Sequence, residues 1–549
     1  ARSFVATLLI CLADAGAEFN GPSNSSSNTA RSLRSSRHHM GSDRRSDSPV
    51  YFATSISCGF YHSCATRNDG KLVCWGANSN GQLGIGSTIG SLGGSLNDLG
   101  NNLKPVDLGT GRVPGAVFAG GYITCNLGRD AKTICWGYNG EGGLGIGSQT
   151  NVGTVPSQMG DGLVPVDLGP DRNATVLAIG NGHTCAITNN GSVVCWGGNS
   201  YGQLGQGSSL GVGTAGKQMG AALAYTDIGP GRKAIAIGAG YVHTCALRDN
   251  GSVVCWGYNS FGQLGIGSTT TVGVSAGQMG SALAAAELGP GRTATAIAVG
   301  AYHTCALRDD GYVACWGYNV NGQLGIGSST NIGTVKGEMG AALKTAILWP
   351  GYRAVSIACG GNSTCALVVL NNSVGTERNT SMLCWGSNAY ANLGIGSTVQ
   401  SVGTSSASMG WSLKAVDVGP GLRVVQMSMG FSHTCVLRSD NQVVCWGDAS
   451  YGQLGAGSTA LWGITPLQMG AGLRPVDLGA IVCSNGSYYI GGGMCACSPG
   501  YYSSGGGGNG TSSCTTCSAG KFSTTAAASD SSACIACIPG TFVSRAGAS

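Results

Sequence analysis

The residues best suited to chemistry in this chain are its 24 cysteines and seven histidines, and both types recur at fixed intervals. A Cys-Trp-Gly motif appears seven times, at intervals of about sixty residues with one near seventy, and a second cysteine precedes each copy. Cysteines this numerous and regular are typical of disulfides formed in an oxidising compartment. The predicted pairs are Cys64 with Cys74, Cys125 with Cys135, Cys185 with Cys195, Cys245 with Cys255, Cys305 with Cys315, Cys365 with Cys384, and Cys435 with Cys445.

The histidines argue against catalysis. Five of the seven occupy one repeat position, whereas a catalytic histidine should be unique, so we expect a structural hydrogen bond in each blade instead. No glycine-rich loop has the strand-to-helix setting that phosphate binding requires. We therefore expect no catalytic residue, no metal, no cofactor and no enzymatic activity. The five histidines are His62, His183, His243, His303 and His433.

The elements that position the cysteines are β-hairpins. In the fifth copy, His303-Thr-Cys-Ala-Leu-Arg and Tyr312-Val-Ala-Cys-Trp-Gly predict two strands joined by the loop Asp309-Asp310-Gly311. This loop length places Cys305 opposite Cys315, where the Cβ atoms are close enough for a disulfide. The sixth hairpin is longer by nine residues but still symmetric, so its cysteines remain opposed.

An alternating segment before each hairpin and a short segment after it bring each copy to about four strands. Seven four-stranded units around an axis predict an all-β fold, a seven-bladed β-propeller over residues 50–480. The series Gly300-Ala-Tyr-His-Thr-Cys-Ala-Leu, Asp310-Gly, Cys315-Trp-Gly and Asn319-Val-Asn-Gly-Gln-Leu-Gly also resembles the regulator of chromosome condensation repeat family. That resemblance implies the same seven-bladed fold.

The chain departs from this family pattern by a longer loop that carries a recurrent Met-Gly-x-x-Leu. Either Met and Leu tuck each loop back onto its own blade, or the loops form an interaction face. An Asp and a following Arg also recur from blade to blade, and we expect them to form a structural ion pair. The methionines are Met159, Met219, Met279, Met339, Met409 and Met469; the Asp and Arg residues are Asp107, Asp167, Asp417 and Asp477 with Arg112, Arg172 and Arg423.

The N-terminal segments and the sequons indicate secretion. Residues 1–17 are apolar and then small, as at the end of a signal peptide, although a buried strand is the alternative. Residues 18–49 are rich in Ser and Arg and predict a flexible linker rather than a basic binding tail. Nine Asn-x-Ser/Thr sequons fit an extracellular glycoprotein. They are Asn24, Asn173, Asn190, Asn250, Asn362, Asn371, Asn379, Asn485 and Asn509, and all but Asn24 are predicted glycosylation sites.

Residues 481–549 form a separate cysteine-rich region, resembling ephrin-receptor-like and growth-factor-like disulfide modules in its repeated Cys-x-Cys and Cys-x-x-Cys spacings. The resemblance leaves Cys537 without a partner, as though the module array continued beyond residue 549. Secretion and the absence of histidine ligands argue against zinc. Cys58 and Cys359, which share one repeat position, have no assigned partner. The pairs that the resemblance implies are Cys483 with Cys495, Cys497 with Cys514, and Cys517 with Cys534.

Three tryptophans fall outside the repeat consensus, in the segments after blades five, six and seven. They are Trp349, Trp411 and Trp462. Because tryptophan is enriched at interface hot spots, this arc is the candidate interface for a protein or a glycan. The alternative is that each ring fills a gap in its own loop.

The net charge does not indicate a partner, because +5 on 549 residues is too dilute for nucleic-acid binding. No segment after the N-terminal one is long and apolar enough to span a membrane. We expect a secreted, non-enzymatic structural or adhesive protein that packs with other protein subunits or copies of itself, with glycans as a further partner class. Its layout resembles algal cell-surface or flagellar-hair (mastigoneme) proteins. A secreted inhibitor-like binding propeller is the alternative, and the family's guanine nucleotide exchange role is a remote one.

Overall fold

Each sequence repeat folds into one antiparallel sheet, and seven such sheets form the blades of a β-propeller. The computed structural model describes residues 50–371 and 380–480 in full, together with the backbone of six short strands between residues 487 and 536. Blade one contains β1 (Ala53–Cys58), β2 (His62–Arg67), β3 (Leu72–Ala77) and β4 (Ser91–Leu92). Blade two contains β5 (Ala116–Gly120), β6 (Ile123–Leu127) and β7 (Thr133–Gly137). Blade three contains β8 (Ala174–Ile179), β9 (His183–Thr188), β10 (Val193–Gly197) and β11 (Tyr225–Thr226). Blade four contains β12 (Ala234–Ala239), β13 (His243–Arg248), β14 (Val253–Gly257) and β15 (Ala285–Ala286). Blade five contains β16 (Ala294–Val299), β17 (His303–Arg308) and β18 (Val313–Gly317). Blade six contains β19 (Tyr352–Cys359), β20 (Ser363–Leu370), β21 (Ser381–Ser387) and β22 (Ser401–Val402). Blade seven contains β23 (Val424–Met429), β24 (His433–Arg438) and β25 (Val443–Gly447).

The hairpin of the second and third strands has the register that its loop length predicts. In blade five, Leu307 pairs with Val313 and Cys305 with Cys315. In blade six, Cys365 pairs with Cys384 despite the longer connection, whose tip at residues 372–379 lies outside the described residues. The central two strands of most blades are buried along almost their whole length, because each sheet is covered on both faces by its neighbours.

The fourth strand is the least regular element of the blade. It is a two-residue strand in blades one, three, four and six, and isolated bridges replace it in the other three, as between Ala314 and Thr345. The long loop next to it contains short 3-10 helices, which follow the fourth strand in blades one and six and precede it in blades three and four. Their bounds are Leu96–Asp98, Gly100–Asn102, Pro156–Gln158, Gly160–Gly162, Gly216–Gln218, Gly220–Ala222, Gly280–Ala282, Gly340–Ala342, Ser406–Ser408, Gly410–Ser412, Pro466–Gln468 and Gly470–Gly472. None of these helices in the described part of the chain is long or apolar enough to cross a membrane.

The methionine of the long loop packs inward, at the seam with the preceding blade. Met159 is buried in one cluster with Trp136 of its own blade and with Val106 and Leu108 of the blade before. The loop therefore holds two blades together and does not present its methionine as an interaction face.

The ion pair predicted between the recurrent Asp and Arg is wrong for the first blade. Asp107 Oδ1 accepts a hydrogen bond from its own turn, at the backbone N–H of Gly109 3.0 Å away. Arg112 donates to the backbone carbonyl of Leu108 at 2.8 Å. Because Asp107 lies two residues before Gly109, its carboxylate can accept a hydrogen bond from the backbone of its own turn. The Arg112 guanidinium is then free to donate to backbone carbonyls.

In the described part of the chain, the first and last blades meet without exchanging a strand. A single bridge joins Val50 to Ala480, and the backbone N–H of Tyr51 donates to the carbonyl of Gly479 at 2.9 Å. Arg67 crosses the same seam, because its guanidinium donates to the carbonyl of Leu478 at 3.0 Å.

Beyond the propeller, the described backbone consists of three small antiparallel pairs. They are β26 (Ser487–Gly491) with β27 (Met494–Cys497), β28 (Tyr501–Ser503) with β29 (Cys514–Thr516), and β30 (Lys521–Phe522) with β31 (Ile535–Ala536).

The three disulfides that the module resemblance implies are not tested by this part of the structure. They depend on side chains that lie outside the described residues, so the pairing stays a prediction. The same holds for the unpaired Cys537. The pairs concerned are Cys483 with Cys495, Cys497 with Cys514, and Cys517 with Cys534.

Candidate functional site

The repeated polar residues meet at the seams between blades. At the seam of blades four and five, the Thr304 hydroxyl donates to the backbone carbonyl of Gln263 at 3.0 Å. Trp316 Nε1 donates to the same carbonyl at 3.0 Å, and His243 Nε2 lies 3.1 Å from the Thr304 hydroxyl oxygen. Because the hydroxyl hydrogen is committed to the carbonyl, Nε2 must carry the hydrogen of the imidazole.

The same hydroxyl–imidazole contact recurs wherever the repeat has a histidine. The five pairs are His62 with Thr124, His183 with Thr244, His243 with Thr304, His303 with Thr364, and His433 with Ser63. In each ring, Nδ1 is buried without a hydrogen-bond partner among the described residues. The predicted structural role of these histidines is confirmed.

Burial keeps the five imidazoles neutral. Desolvation lowers the pKa of His62, His243 and His303 from the usual 6.5 to about 3, and that of His183 and His433 to about 4. A ring with this pKa and no access to solvent cannot exchange protons with a substrate near neutral pH.

The cysteines staple every blade. The described residues contain seven disulfides, one in each hairpin, with Cα atoms 4.1 Å apart. Each joins the two opposed residues that the hairpin register brings together, so a staple links the second strand of a blade to its third. The bonded pairs are the seven expected from the sequence: Cys64 with Cys74, Cys125 with Cys135, Cys185 with Cys195, Cys245 with Cys255, Cys305 with Cys315, Cys365 with Cys384, and Cys435 with Cys445.

Two cysteines of the described chain are free. They are Cys58 and Cys359, each the last residue of an innermost strand. Burial raises their pKa to about 11 and about 12 respectively. The other blades place apolar residues at this position, namely Ala119, Ile179, Ala239, Val299 and Met429.

One face of the disc is covered with aromatic rings, and we call it the aromatic face. It consists of the turns between the first and second strands and the loops that follow the third strand, which antiparallel pairing places at the same end of each blade. Neighbouring ring centroids lie 4.9 to 6.5 Å apart in one continuous network. Its eleven members are Phe60, Tyr61, Tyr122, Tyr201, Tyr241, Tyr258, Phe261, Tyr302, Tyr318, Phe431 and Tyr451.

The network closes the central channel at this end. Phe60 of blade one stacks on Tyr241 of blade four with centroids 5.7 Å apart, and Phe431 of blade seven packs beside them at 5.3 Å from Phe60. Blades one and four are not adjacent, so these rings meet across the axis of the propeller. Below them the channel is lined by the ends of the innermost strands.

The aromatic face carries almost no charge. Its turns, together with the parts of its loops that run from the end of each third strand to the residue that next bridges back to that strand, contain two acidic residues, Glu141 and Asp448, and neither Lys nor Arg; these loop parts are residues 78–90, 138–151, 198–211, 258–271, 318–331, 388–400 and 448–461. Asp448 is buried and accepts a hydrogen bond from the Ser432 hydroxyl at 3.1 Å, so Glu141 is the one exposed charge of this face in the described chain. Partial burial raises the pKa of Glu141 above its usual value.

The opposite face, which we call the hairpin face, has a different chemistry. It consists of the hairpin loops and the connections between blades, and it carries most of the Arg and Asp residues of the described blades. Arg308 and Asp310 form one of its ion pairs. The four exposed sequons of the described chain also lie here, at Asn173, Asn190, Asn250 and Asn371.

The remaining sequons do not join this group. Asn362 lies half-buried in a turn of the aromatic face. Asn24, Asn379, Asn485 and Asn509 lie outside the described residues.

Two of the three predicted interface tryptophans contact each other, and their role as an interface stays a prediction. Trp349 and Trp411 stack with centroids 5.9 Å apart, and Tyr352 packs edge-on against both. Trp411 is 67% exposed, so this pair forms an open patch on the rim. Trp462 lies apart from them: its Nε1 donates to the carbonyl of Gln468 at 2.8 Å and its ring packs against Arg474.

The aromatic face is the main feature that our sequence analysis missed. Its rings come from four repeat positions, namely one and two residues before the repeat histidine, directly after Cys-Trp-Gly, and directly before Gly-Gln-Leu-Gly, and none of these is aromatic in all seven copies. Considering the four positions together would have revealed it, because they all map to the same end of the blade.

The chain is thus an all-β, seven-bladed propeller with structural histidines and one aromatic face. The family model described as RCC1-like domain matches residues 165–529, and a model of the regulator of chromosome condensation (RCC1) repeat matches residues 53–82. The chain belongs to the family of RCC1-like domains.

Among proteins similar to this one, the ultraviolet-B receptor UVR8 of Arabidopsis thaliana is 30% identical over 50% of this chain and 55% of the receptor. The chain therefore spans little more than half the length of that relative. Human WBSCR16 superposes with a TM-score of 0.52 at 19% identity, covering 73% of this chain and 92% of that structure. Prp20p of Saccharomyces cerevisiae, studied for its binding to Gsp1p and histones, superposes at 0.50 and 18% identity, covering 69% and 80%. At these identities the two structures show the fold alone.

Proposed function

We propose that this protein is a secreted, non-enzymatic structural or adhesive subunit, and that its aromatic face is the surface that packs into a larger extracellular assembly. The observation that carries the proposal is the contrast between the two faces of the disc. Aromatic enrichment with charge depletion is the composition of interface centres. Exposed sequons on the hairpin face would direct glycans away from that contact.

The secretory compartment is part of the proposal, and covalent chemistry supports it. Seven stapled hairpins fit an oxidising environment, and sequons would be glycosylated on the secretory route. Partners are other protein subunits or copies of this chain, as in a cell-surface or flagellar-hair filament. The proposal includes no nucleic-acid partner, because the aromatic face has no cation to bind phosphate.

Replacing Phe60, Tyr241 and Tyr302 together with Ser is expected to abolish assembly of the secreted protein, since it removes rings at the centre of the proposed contact. Assembly is measured by sedimentation and by electron microscopy of material from the native source. Thermal unfolding of the same variant checks that the blades remain folded.

The matched control replaces Trp349 and Trp411 with Ser on the rim, where assembly should persist. Unchanged assembly in the aromatic-face variant, or loss in the rim variant alone, would contradict the proposal.

A glycan-binding propeller is the second candidate function, and the rim patch favours it. Two stacked indoles with one of them 67% exposed provide the flat apolar surface on which a sugar ring packs. Applying the same two variants to an array of neutral and charged glycans distinguishes the candidates, because binding lost only in the rim variant places the glycan at Trp349 and Trp411.

A further inference from the structure

The two free thiols each lie beside a staple of a neighbouring blade. Cys58 of blade one, Cys435 of blade seven and His433 have sulfur and ring nitrogen atoms within 4.8 Å of one another. Cys435 is itself bonded to Cys445. Cys359 of blade six stands in the same relation to Cys305 of blade five, which is bonded to Cys315.

The two constellations share their local arrangement. Ser63 Oγ lies 3.7 Å from Cys58 Sγ and 3.6 Å from Cys435 Sγ, and it contacts His433 Nε2 at 2.9 Å. At the other seam, Thr364 Oγ1 lies 3.9 Å from both Cys359 Sγ and Cys305 Sγ and 2.9 Å from His303 Nε2.

This is not a metal centre in the stapled protein. A cysteine sulfur within a disulfide is not a thiolate, so Cys435 and Cys305 cannot ligate an ion while their hairpins are bonded. A thiol close to a disulfide has a different available chemistry, which is thiol–disulfide exchange.

We propose that each seam is a site of intramolecular thiol–disulfide exchange, which moves a staple from within one blade to between two blades. Cys58 Sγ bonds to Cys435 Sγ as the Cys435–Cys445 bond breaks. The proton of the Cys58 thiol ends on Cys445, so the step consumes no oxidant or reductant. The corresponding step at the other seam forms a Cys359–Cys305 bond and frees Cys315.

The first exchange has a particular structural consequence. A bond between Cys58 and Cys435 joins the first blade to the last covalently, across a seam that is otherwise closed by the Val50–Ala480 bridge, by backbone hydrogen bonds such as that from Ala53 N–H to the Asn441 carbonyl, and by side-chain contacts. The original staple joins two cysteines that are ten residues apart in the sequence, whereas the new bond joins the two ends of the ring. Such a form is expected to resist separation of the terminal blades.

Burial keeps the exchange latent near neutral pH. Besides desolvation, the Cys58 thiol faces the Ser63 and Ser428 hydroxyls and the neutral His433, and none of these is a charged group that would stabilise a thiolate. Cys359 faces Thr364 and the neutral His303. Because only the thiolate attacks, the exchange rate should rise about tenfold for each pH unit on approach to the thiol pKa.

The test is a map of the free thiols before and after incubation of the dilute, full-length protein at about pH 9. The protein is then quenched in acid, denatured, alkylated and digested without reduction. We expect the alkyl label to move from Cys58 to Cys445 and from Cys359 to Cys315, with new linked peptides containing Cys58–Cys435 and Cys359–Cys305. Native material that already contains these linked peptides would equally support the proposal.

Two single variants serve as matched controls for each other. Cys58→Ser should prevent labelling of Cys445 while leaving the Cys359 exchange intact, and Cys359→Ser should do the converse. The proposal is overturned if the labels stay on Cys58 and Cys359 while circular dichroism shows native blades. It is also overturned if Cys58 is found linked to a cysteine of residues 481–549.

Discussion

Acidification from about pH 6.5 to about pH 4 is expected to remove most of the stability of the propeller. Five buried histidines have a folded-state pKa lowered from 6.5 to about 3 or about 4, mainly by desolvation. The unfolded chain therefore binds protons that the folded chain excludes, and the free energy of unfolding falls as the pH falls through this window. Above about pH 6.5 both states are neutral at these positions and the effect vanishes.

The magnitude follows from linkage. Once a histidine is protonated in the unfolded chain, it lowers the free energy of unfolding by about 1.4 kcal/mol for each further pH unit of acidification. Five histidines together lower it by roughly 7 kcal/mol per pH unit. A folded domain has only about 5–15 kcal/mol to lose. A change of one to two pH units within the window should thus suffice to unfold the blades.

Guanidinium unfolding at a series of pH values measures this dependence. His303→Gln should reduce the proton uptake on unfolding from five to four, while the other four seams keep their histidines. Blades two and six already have Ile123 and Ser363 at this position, which shows that a seam can form without the imidazole. Stability that is flat between pH 7 and 4, or a slope unchanged in the variant, would contradict the prediction.

The hairpin geometry could be read from the sequence because it is local. Three loop residues set the register, and the register places Cys305 opposite Cys315 whatever the rest of the chain does. The role of the histidines was also predictable, since repetition of His243 or His303 at one position is incompatible with a unique catalytic residue.

Contacts between blades were not predictable in the same way. Cys58 and Ser428 are separated by 370 residues yet are hydrogen-bonded at 2.8 Å, and nothing in a single repeat indicates which neighbour faces which. The contacts of the three tryptophans could not be predicted either, for a related reason. Trp349 and Trp411 come from successive blades and stack, whereas Trp462 follows the last blade and packs against its own loop.

The tryptophan of Cys-Trp-Gly should be the most costly single position in each blade to truncate. Trp256 is fully buried, and its Nε1 donates to the carbonyl of Gln203 in the neighbouring blade at 2.9 Å. Trp256→Ala is expected to lower the free energy of unfolding by about 3–5 kcal/mol, because it leaves a large cavity at a seam. It also removes one of the two donors to that carbonyl, the other being the Thr244 hydroxyl.

Trp411→Ala is the matched control, with the same change of side chain at a position that is 67% exposed. It loses the stacking on Trp349 but opens no cavity, so its cost should stay below about 1 kcal/mol. Denaturant unfolding of both variants at neutral pH gives the comparison. Equal costs at the two positions would mean that the seam tryptophan contributes no more than an exposed aromatic contact. A cost at Trp256 that Trp256→Phe largely recovers would assign the effect to ring volume, and one that it does not recover would assign it to the hydrogen bond across the seam.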